Sequence, residues 1–232
     1  FTLDTPISEF IPSFKDMNAL VPGATQIDQV APCATPTVHQ LLTHTSGLSY
    51  PFNPGVLARA MDEQDLVFKP SGSTLAEQVE HVAALPLAFE PGSRWEYSVG
   101  IDIVGRIIEV VSGKSRAQFF KEEIFDPLGM VETGFSVRDQ DVDRFASLYT
   151  PLAGNAMALN AAQSGGSTLR LADEAGSSPF EAATVWSGGG GLLGTLDDYM
   201  LFAEMLRQGG KCKDGYLLSP KTLQFMMRNH LP

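Results

Sequence analysis

Serine is the first residue type to test for chemistry here, because a hydroxyl attacks a carbonyl well only when a neighbouring base takes its proton. No serine in residues 1–232 has a lysine three positions on; Ser13, Ser112 and Ser219 have one only two positions on. Lys-Thr-Gly is absent, and so is any His-x-Gly that would replace it. His39 and His44 lie five apart with no cysteine or acid at ligand spacing, which predicts no zinc site. Asp139, Asp141 and Asp143 alternate as in a calcium loop, but Arg144 stands where glycine is needed and Thr150 where the bidentate glutamate belongs. Gly189 to Gly194 satisfies Gly-x-Gly-x-x-Gly, yet no strand precedes it, so it reads as a turn and not as a dinucleotide site.

Tyrosine is better placed. Tyr97, within Trp95-Glu96-Tyr97-Ser98, follows the Pro91-Gly92 turn and precedes an apolar helical run from Ile101. It therefore sits on a loop held by a rigid element, where a reactive side chain is usefully presented. A phenol has an unperturbed pKa of about 10, and it serves as a base near neutrality only where cations favour the phenolate. Tyr50 closely follows His44-Thr45-Ser46-Gly47, and Trp186 and Ser187 precede a run of glycines. His44 reads as structural, its imidazole closing a helix end or bonding a loop carbonyl.

The elements that position these residues are mostly helical. Residues 1–36 read as a short helix near Ile7–Phe10 followed by loop. Val38, Leu41 and Leu42 share a face in a helix from Thr37, ended by Thr45-Ser46-Gly47. Asn53-Pro54 predicts a helix start. Thr74 to Glu77 predicts a capping box leading Leu75, Val79, Val82 and Leu85 inward. Ile101, Val104, Ile108 and Val111, widened by Ile103 and Ile107, predict the inner face of a helix closed by Ser112-Gly113. Ser115 to Gln118 predicts a second box and a helix stopping before Pro127. A short strand and turn are expected within 135–149, and a long loop over 153–179 that covers a cleft. Thr195 caps a helix with Tyr199, Met200, Ala203 and Leu206 inward, and Ser219-Pro220 opens a last helix through Met227. Segments of period two are scarce, so this chain alone makes no large sheet.

With 232 residues, 44% of them hydrophobic, the chain buries a real core. Its net charge of -11 argues against nucleic acid or an anionic membrane as partner. Cys33 and Cys212 read as two free thiols, with one long-range disulfide as the alternative. No apolar run is long enough for a membrane span.

Five motifs stand in order along the whole chain: Leu41-Leu42-Thr43-His44-Thr45-Ser46-Gly47-Leu48, Trp95-Glu96-Tyr97-Ser98, Ile124-Phe125-Asp126-Pro127-Leu128-Gly129-Met130, Ser187-Gly188-Gly189-Gly190-Gly191-Leu192 and Leu217-Leu218-Ser219-Pro220-Lys221-Thr222. Together they resemble the superfamily of serine β-lactamases, penicillin-binding proteins and β-lactamase-like esterases. The resemblance implies an α+β fold of the β-lactamase/transpeptidase type. Residues 1–232 would be its central, mostly helical portion, lacking most of the antiparallel sheet. It implies acyl transfer by the serine of a Ser-x-x-Lys pair, with a lysine and a tyrosine handling the proton. Tyr97 matches that tyrosine, Tyr50 matches a tyrosine that looks into the active-site cleft of esterase-like relatives, and Trp186 and Ser187, just before the glycine run, read as lining the pocket. Val99 stands where lactamase-like members carry Asn, which favours a carboxylic ester over a lactam as the small-molecule substrate. The nucleophile helix is expected upstream of Phe1 and the oxyanion strand downstream of Pro232, so the fragment alone is expected to be inactive and to expose an apolar face. No cofactor and no metal are implied. A β-lactamase or D-alanyl-D-alanine carboxypeptidase, and a non-catalytic binding relative, are the alternatives.

Overall fold

The computed structural model describes residues 1–66, 69, 72–151 and 169–231. In chain order its elements are strands β1 (Asn18–Leu20) and β2 (Val30–Pro32), then helices α1 (Val38–Leu42), α2 (Val56–Glu63), α3 (Leu75–Ala83), α4 (Gly100–Ser112) and α5 (Arg116–Phe120). A π-helical turn, Lys121–Phe125, runs on into α6 (Asp126–Leu128). Strands β3 (Leu148–Pro151) and β4 (Leu169–Asp173) follow, then α7 (Leu196–Arg207), β5 (Lys211–Cys212), β6 (Gly215–Tyr216) and α8 (Pro220–Met226). The described strands pair only as three antiparallel two-stranded ribbons. The α+β, helix-dominated character expected from the sequence is thus present.

Most helix starts obey local chemistry. Thr37 and Thr74 each accept a bond from the third helical N–H, while Gln40 and Glu77 reach back to close a capping box. Ser115, Thr195 and Ser219 cap α5, α7 and α8 in the same way from their hydroxyls. Ser115 makes no reciprocal box, because the Gln118 amide turns to Glu122 instead. Gly113 ends α4 in the left-handed conformation. Pro127 does not stop the chain's helical path; it sits in the first turn of α6, where its missing N–H has no partner to lose.

Five expectations need correction. The Asn53-Pro54 start is displaced: α2 begins at Val56 after Gly55, because the Asn53 amide is used elsewhere, on the Tyr97 carbonyl. In α4 the buried side chains are Asp102, Ile103 and Ile107, while Val111 is exposed. The helix is rotated from the purely apolar reading because its inner side also receives a guanidinium and a glycine ribbon, described below. In α7 the buried residues are Asp198 and Met205, and Tyr199 and Met200 are exposed. There the Asp198 carboxylate accepts the Glu132 N–H and the Thr133 hydroxyl, both at 2.8 Å. The Thr45-Ser46-Gly47 end is also tighter than expected, α1 stopping at Leu42 with His44 itself left-handed. Of the expected 153–179 loop, 169–173 is strand β4 and the part up to 168 lies outside the described residues.

The main core gathers Ile7, Phe14, Leu41, Leu48, Met61, Val79, Leu87, Val99, Ile103 and Ile107. Helices α1, α3 and α5 all pack on α4, which makes it the central beam. The β1–β2 ribbon is tied to the same core by Leu20 and Leu87, whose backbones bond at 2.9 and 2.8 Å across to each other's segments. No described helix is long and apolar enough to cross a membrane. Cys33 and Cys212 are unbridged.

Ile103 is fully buried in this core. Ile103→Ala is expected to lower unfolding free energy by roughly 2–5 kcal/mol, through lost burial and the cavity left behind. A urea titration followed by circular dichroism reads it as a lower midpoint with an unchanged slope.

Candidate active site

The loop 93–99 delivers Tyr97 to the start of α4, and its backbone is fixed from behind. Asn53 Nδ2 donates to the Tyr97 carbonyl at 2.8 Å and to Ser49 Oγ at 3.1 Å. Ser49 Oγ donates in turn to Glu96 Oε1 at 2.6 Å. The Glu96 N–H bonds the His44 carbonyl, which joins this loop to the end of α1. The ring itself is 41% exposed.

Around Tyr97 the aromatic side chains form one patch. Its ring centroid lies 4.9 Å from His44, 5.1 Å from Tyr50 and 6.4 Å from Phe52. Tyr50 stacks on Phe52 at 4.8 Å, and Trp95 meets the far side of His44 edge-on at 6.2 Å. Phe52 and Trp95 are both exposed. A cleft of about 520 Å³ opens on the reverse of this loop, lined among others by Ser49, Arg94 and Glu96; Tyr97 takes no part in it. The patch, not that cleft, holds the tyrosine and histidine rings.

His44 is held by its neighbours. Its backbone is left-handed, φ 56°, and its Nδ1 accepts the N–H of the buried Ser98 at 3.3 Å. An imidazole accepting at Nδ1 carries its proton on Nε2 and is neutral. Burial lowers its pKa below the ordinary histidine value.

Beneath the patch lies a buried polar centre that no motif announced. Asp102, on the third residue of α4, is 1% exposed. Its Oδ1 accepts from Ser187 Oγ at 2.6 Å, Gly188 N at 2.6 Å and Gly189 N at 3.3 Å. Its Oδ2 is buried and has no hydrogen-bond partner among the described residues. Burial pushes this carboxyl above the usual carboxylate range, against the pull of Ser187, Gly189, Gly188 and Arg116. Arg116, 3% exposed, donates to the Trp186 carbonyl at 2.6 Å. Its guanidinium lies over the rings of Phe120 and Phe135 at 4.8 and 5.2 Å. Burial lowers Arg116 to about 10, while Asp102 and Glu109 oppose that fall.

The ribbon 186–189 therefore lies flat on α4. A Cβ on Gly188 would come within 2.0 Å of the Ile101 carbonyl, so only glycine fits. Gly189 sits between Tyr50 and Asp102: a Cβ there would be 2.7 Å from the Tyr50 hydroxyl and 3.4 Å from Asp102 Oδ2. Tyr50 is held protonated well above its ordinary range, first by burial and then by the negative field of Asp102.

Of the four residues singled out from the sequence, Tyr97, Tyr50 and Ser187 come together around this centre. Trp186 is anchored beside them through its carbonyl, and among the described residues no ring contact joins it to the patch. Phe52, Asn53, Trp95, Asp102 and Arg116 went unmarked. Asp102 alone left a signal, an acid set among apolar residues in a strongly helical run.

A family model described as Beta-lactamase matches residues 1–230. The chain belongs to that family. It is 30% identical to Esterase EstB of Burkholderia gladioli over 235 residues, which is 95% of this chain and 53% of that protein. It is 32% identical to Lovastatin esterase of Penicillium rubens over 197 residues, 84% of this chain and 44% of that protein. Among solved structures, EstCE1, a hydrolase with promiscuous acyltransferase activity, superposes with a TM-score of 0.73 at 28% identity, over 99% of this chain and 57% of that one. The chain spans about half the length of the curated relatives it matches.

A neutral His44 has a consequence for stability. Its folded pKa lies below its unfolded value, so its contribution is complete above about pH 6.5 and is lost as pH falls below that value. His44→Asn, whose side chain tolerates a left-handed backbone, is expected to flatten the loss of urea midpoint between about pH 7 and pH 5. An equally steep decline in the variant would contradict this account.

Proposed function

We propose that this chain carries the tyrosine side of a serine ester-hydrolase site, with Tyr97 as the proton-transfer residue. The nucleophilic serine and its lysine belong, in this reading, to sequence outside residues 1–232, since no serine here has a lysine three positions on. The carrying observation is the Tyr97 ring itself: clamped through its backbone by Asn53, half-open to solvent, and set among Tyr50, Phe52 and His44.

The chemistry is acyl transfer. The serine hydroxyl adds to the ester carbonyl as its proton passes to Tyr97 in its phenolate form, which becomes the neutral phenol. Tyr97 returns the proton to the leaving alcohol as the carbon–oxygen bond breaks. Water then attacks the acyl-enzyme by the same path reversed. Tyr50, Trp186 and Ser187 line the substrate side, and the exposed rings of Phe52 and Trp95 offer apolar surface to it. Two features support an ester over a lactam: the names of two relatives, Esterase EstB and Lovastatin esterase, and an aromatic patch poor in amide donors; Val99, fully buried in the core, does not face the patch and bears on neither.

In the full-length protein, Tyr97→Phe is expected to lower kcat for a short-chain nitrophenyl ester by about 10²–10⁴-fold, the usual worth of a positioned acid–base group, with KM little changed. The same protein is expected to turn over the ester far faster than a chromogenic cephalosporin. Residues 1–232 by themselves are expected to show no turnover above buffer. A Tyr97→Phe enzyme as fast as wild type would overturn the assignment, and faster cephalosporin turnover would reverse the substrate preference.

A further inference from the structure

We propose that Asp102 is a positioning residue for Tyr97, acting through the Tyr50 hydroxyl, so that the buried carboxylate and the Tyr97 oxygen compete for the single Tyr50 proton. This rests on Tyr97 being the proton-transfer residue and goes one step deeper into how it is set.

The geometry is specific. Tyr50 lies between the other two: its ring is 5.1 Å from that of Tyr97, while its hydroxyl and Asp102 Oδ2 flank the same point beside Gly189. Asp102 Oδ1 is fully engaged by Ser187, Gly188 and Gly189, which fixes the plane of the carboxyl and turns the other oxygen inward. That oxygen is buried and, among the described residues, unpartnered. A buried acceptor without a donor is costly, and the nearby phenol is a donor able to satisfy it, as is the Arg116 Nε, which is likewise buried without a partner among the described residues. Burial and both neighbours keep Tyr50 protonated, so it has one hydrogen to give and two oxygens to give it to.

The charged and titratable groups facing this triad are few. Arg116, from α5, faces Asp102. His44, from the end of α1, faces Tyr97 and is held below its ordinary pKa by burial. Glu96 turns away toward Ser49 and Arg94, and Glu109 acts on Arg116.

Two substitutions pull in opposite directions. Tyr50→Phe keeps the ring and removes the donor, so a phenolate on Tyr97 becomes harder to form. Asp102→Asn keeps an acceptor for Ser187, Gly188 and Gly189 and puts an amide donor where Oδ2 was. It removes a negative charge and frees the Tyr50 proton for Tyr97, so the phenolate becomes easier to form.

The test is the pH dependence of kcat/KM for ester hydrolysis in the full-length protein. Tyr50→Phe is expected to move the acid limb up, and Asp102→Asn to move it down, each by about half to one pH unit, as expected for gain or loss of one neighbouring charge or hydrogen bond. Limbs that stay in place, or that move the same way in both variants, would overturn the proposal while leaving Tyr97 its role. Full activity in Tyr97→Phe would remove both. A merely structural role for Asp102 would lower the amplitude of the profile without moving its limb, and that result also counts against the proposal.

Discussion

Everything near Tyr97 depends on how α4 accommodates two buried ionisable groups. A carboxylate or guanidinium withdrawn from water costs several kcal/mol unless polar partners replace the lost hydration. Asp102 obtains its partners from the backbone and hydroxyl of Ser187–Gly189, and Arg116 obtains one from the Trp186 carbonyl. These partners of both groups come from the same four residues. The ribbon is therefore pinned to α4 at two points, and its position follows from electrostatics more than from apolar packing. Helix α4 in turn rests on α1 and α3 through Ile103 and Ile107. A single beam thus carries the core on one side and the polar centre on the other.

The loop bearing Tyr97 is built on a different plan. Behind the ring, Glu96, Ser49 and Asn53 form a continuous chain of hydrogen bonds that leaves the backbone little freedom. In front, the contacts are aromatic faces and edges, each worth about 1 kcal/mol beyond burial. A side chain held this way keeps its direction while its oxygen stays accessible. The division matches what proton transfer requires: a fixed point of attachment and an open working end.

Much of this architecture was legible in the sequence where the determinants are local. The caps at Thr37, Thr74, Ser115, Thr195 and Ser219 depend on residues three positions apart, and Gly113 closes α4 by its own backbone freedom. Tyr97 was singled out because five motifs in order resemble a known family, and the Beta-lactamase match bears out that family. What stayed hidden depends on distant partners. Asn53 resembles a helix cap, yet its amide is committed to a carbonyl 44 residues away. The inner face of α4 could not be chosen from apolar spacing, because the group that turns it inward is Asp102, whose donors lie 85 to 87 residues on. Likewise the buried side of α7 is set by Asp198 and its bonds to Glu132 and Thr133. In each case a polar residue with remote partners overrode a hydrophobic pattern.

The glycine ribbon has unequal tolerance along its length, which matters to anyone wishing to redesign the surface beside Tyr50. Gly188 is locked by contact with α4, whereas a methyl group on Gly190, two positions further, would meet no atom within 4 Å. New side chains introduced at 190 would thus hang from a rail whose alignment is guaranteed by its neighbours. Diversity can be concentrated at that one open bead, with the anchoring carboxylate beneath left undisturbed.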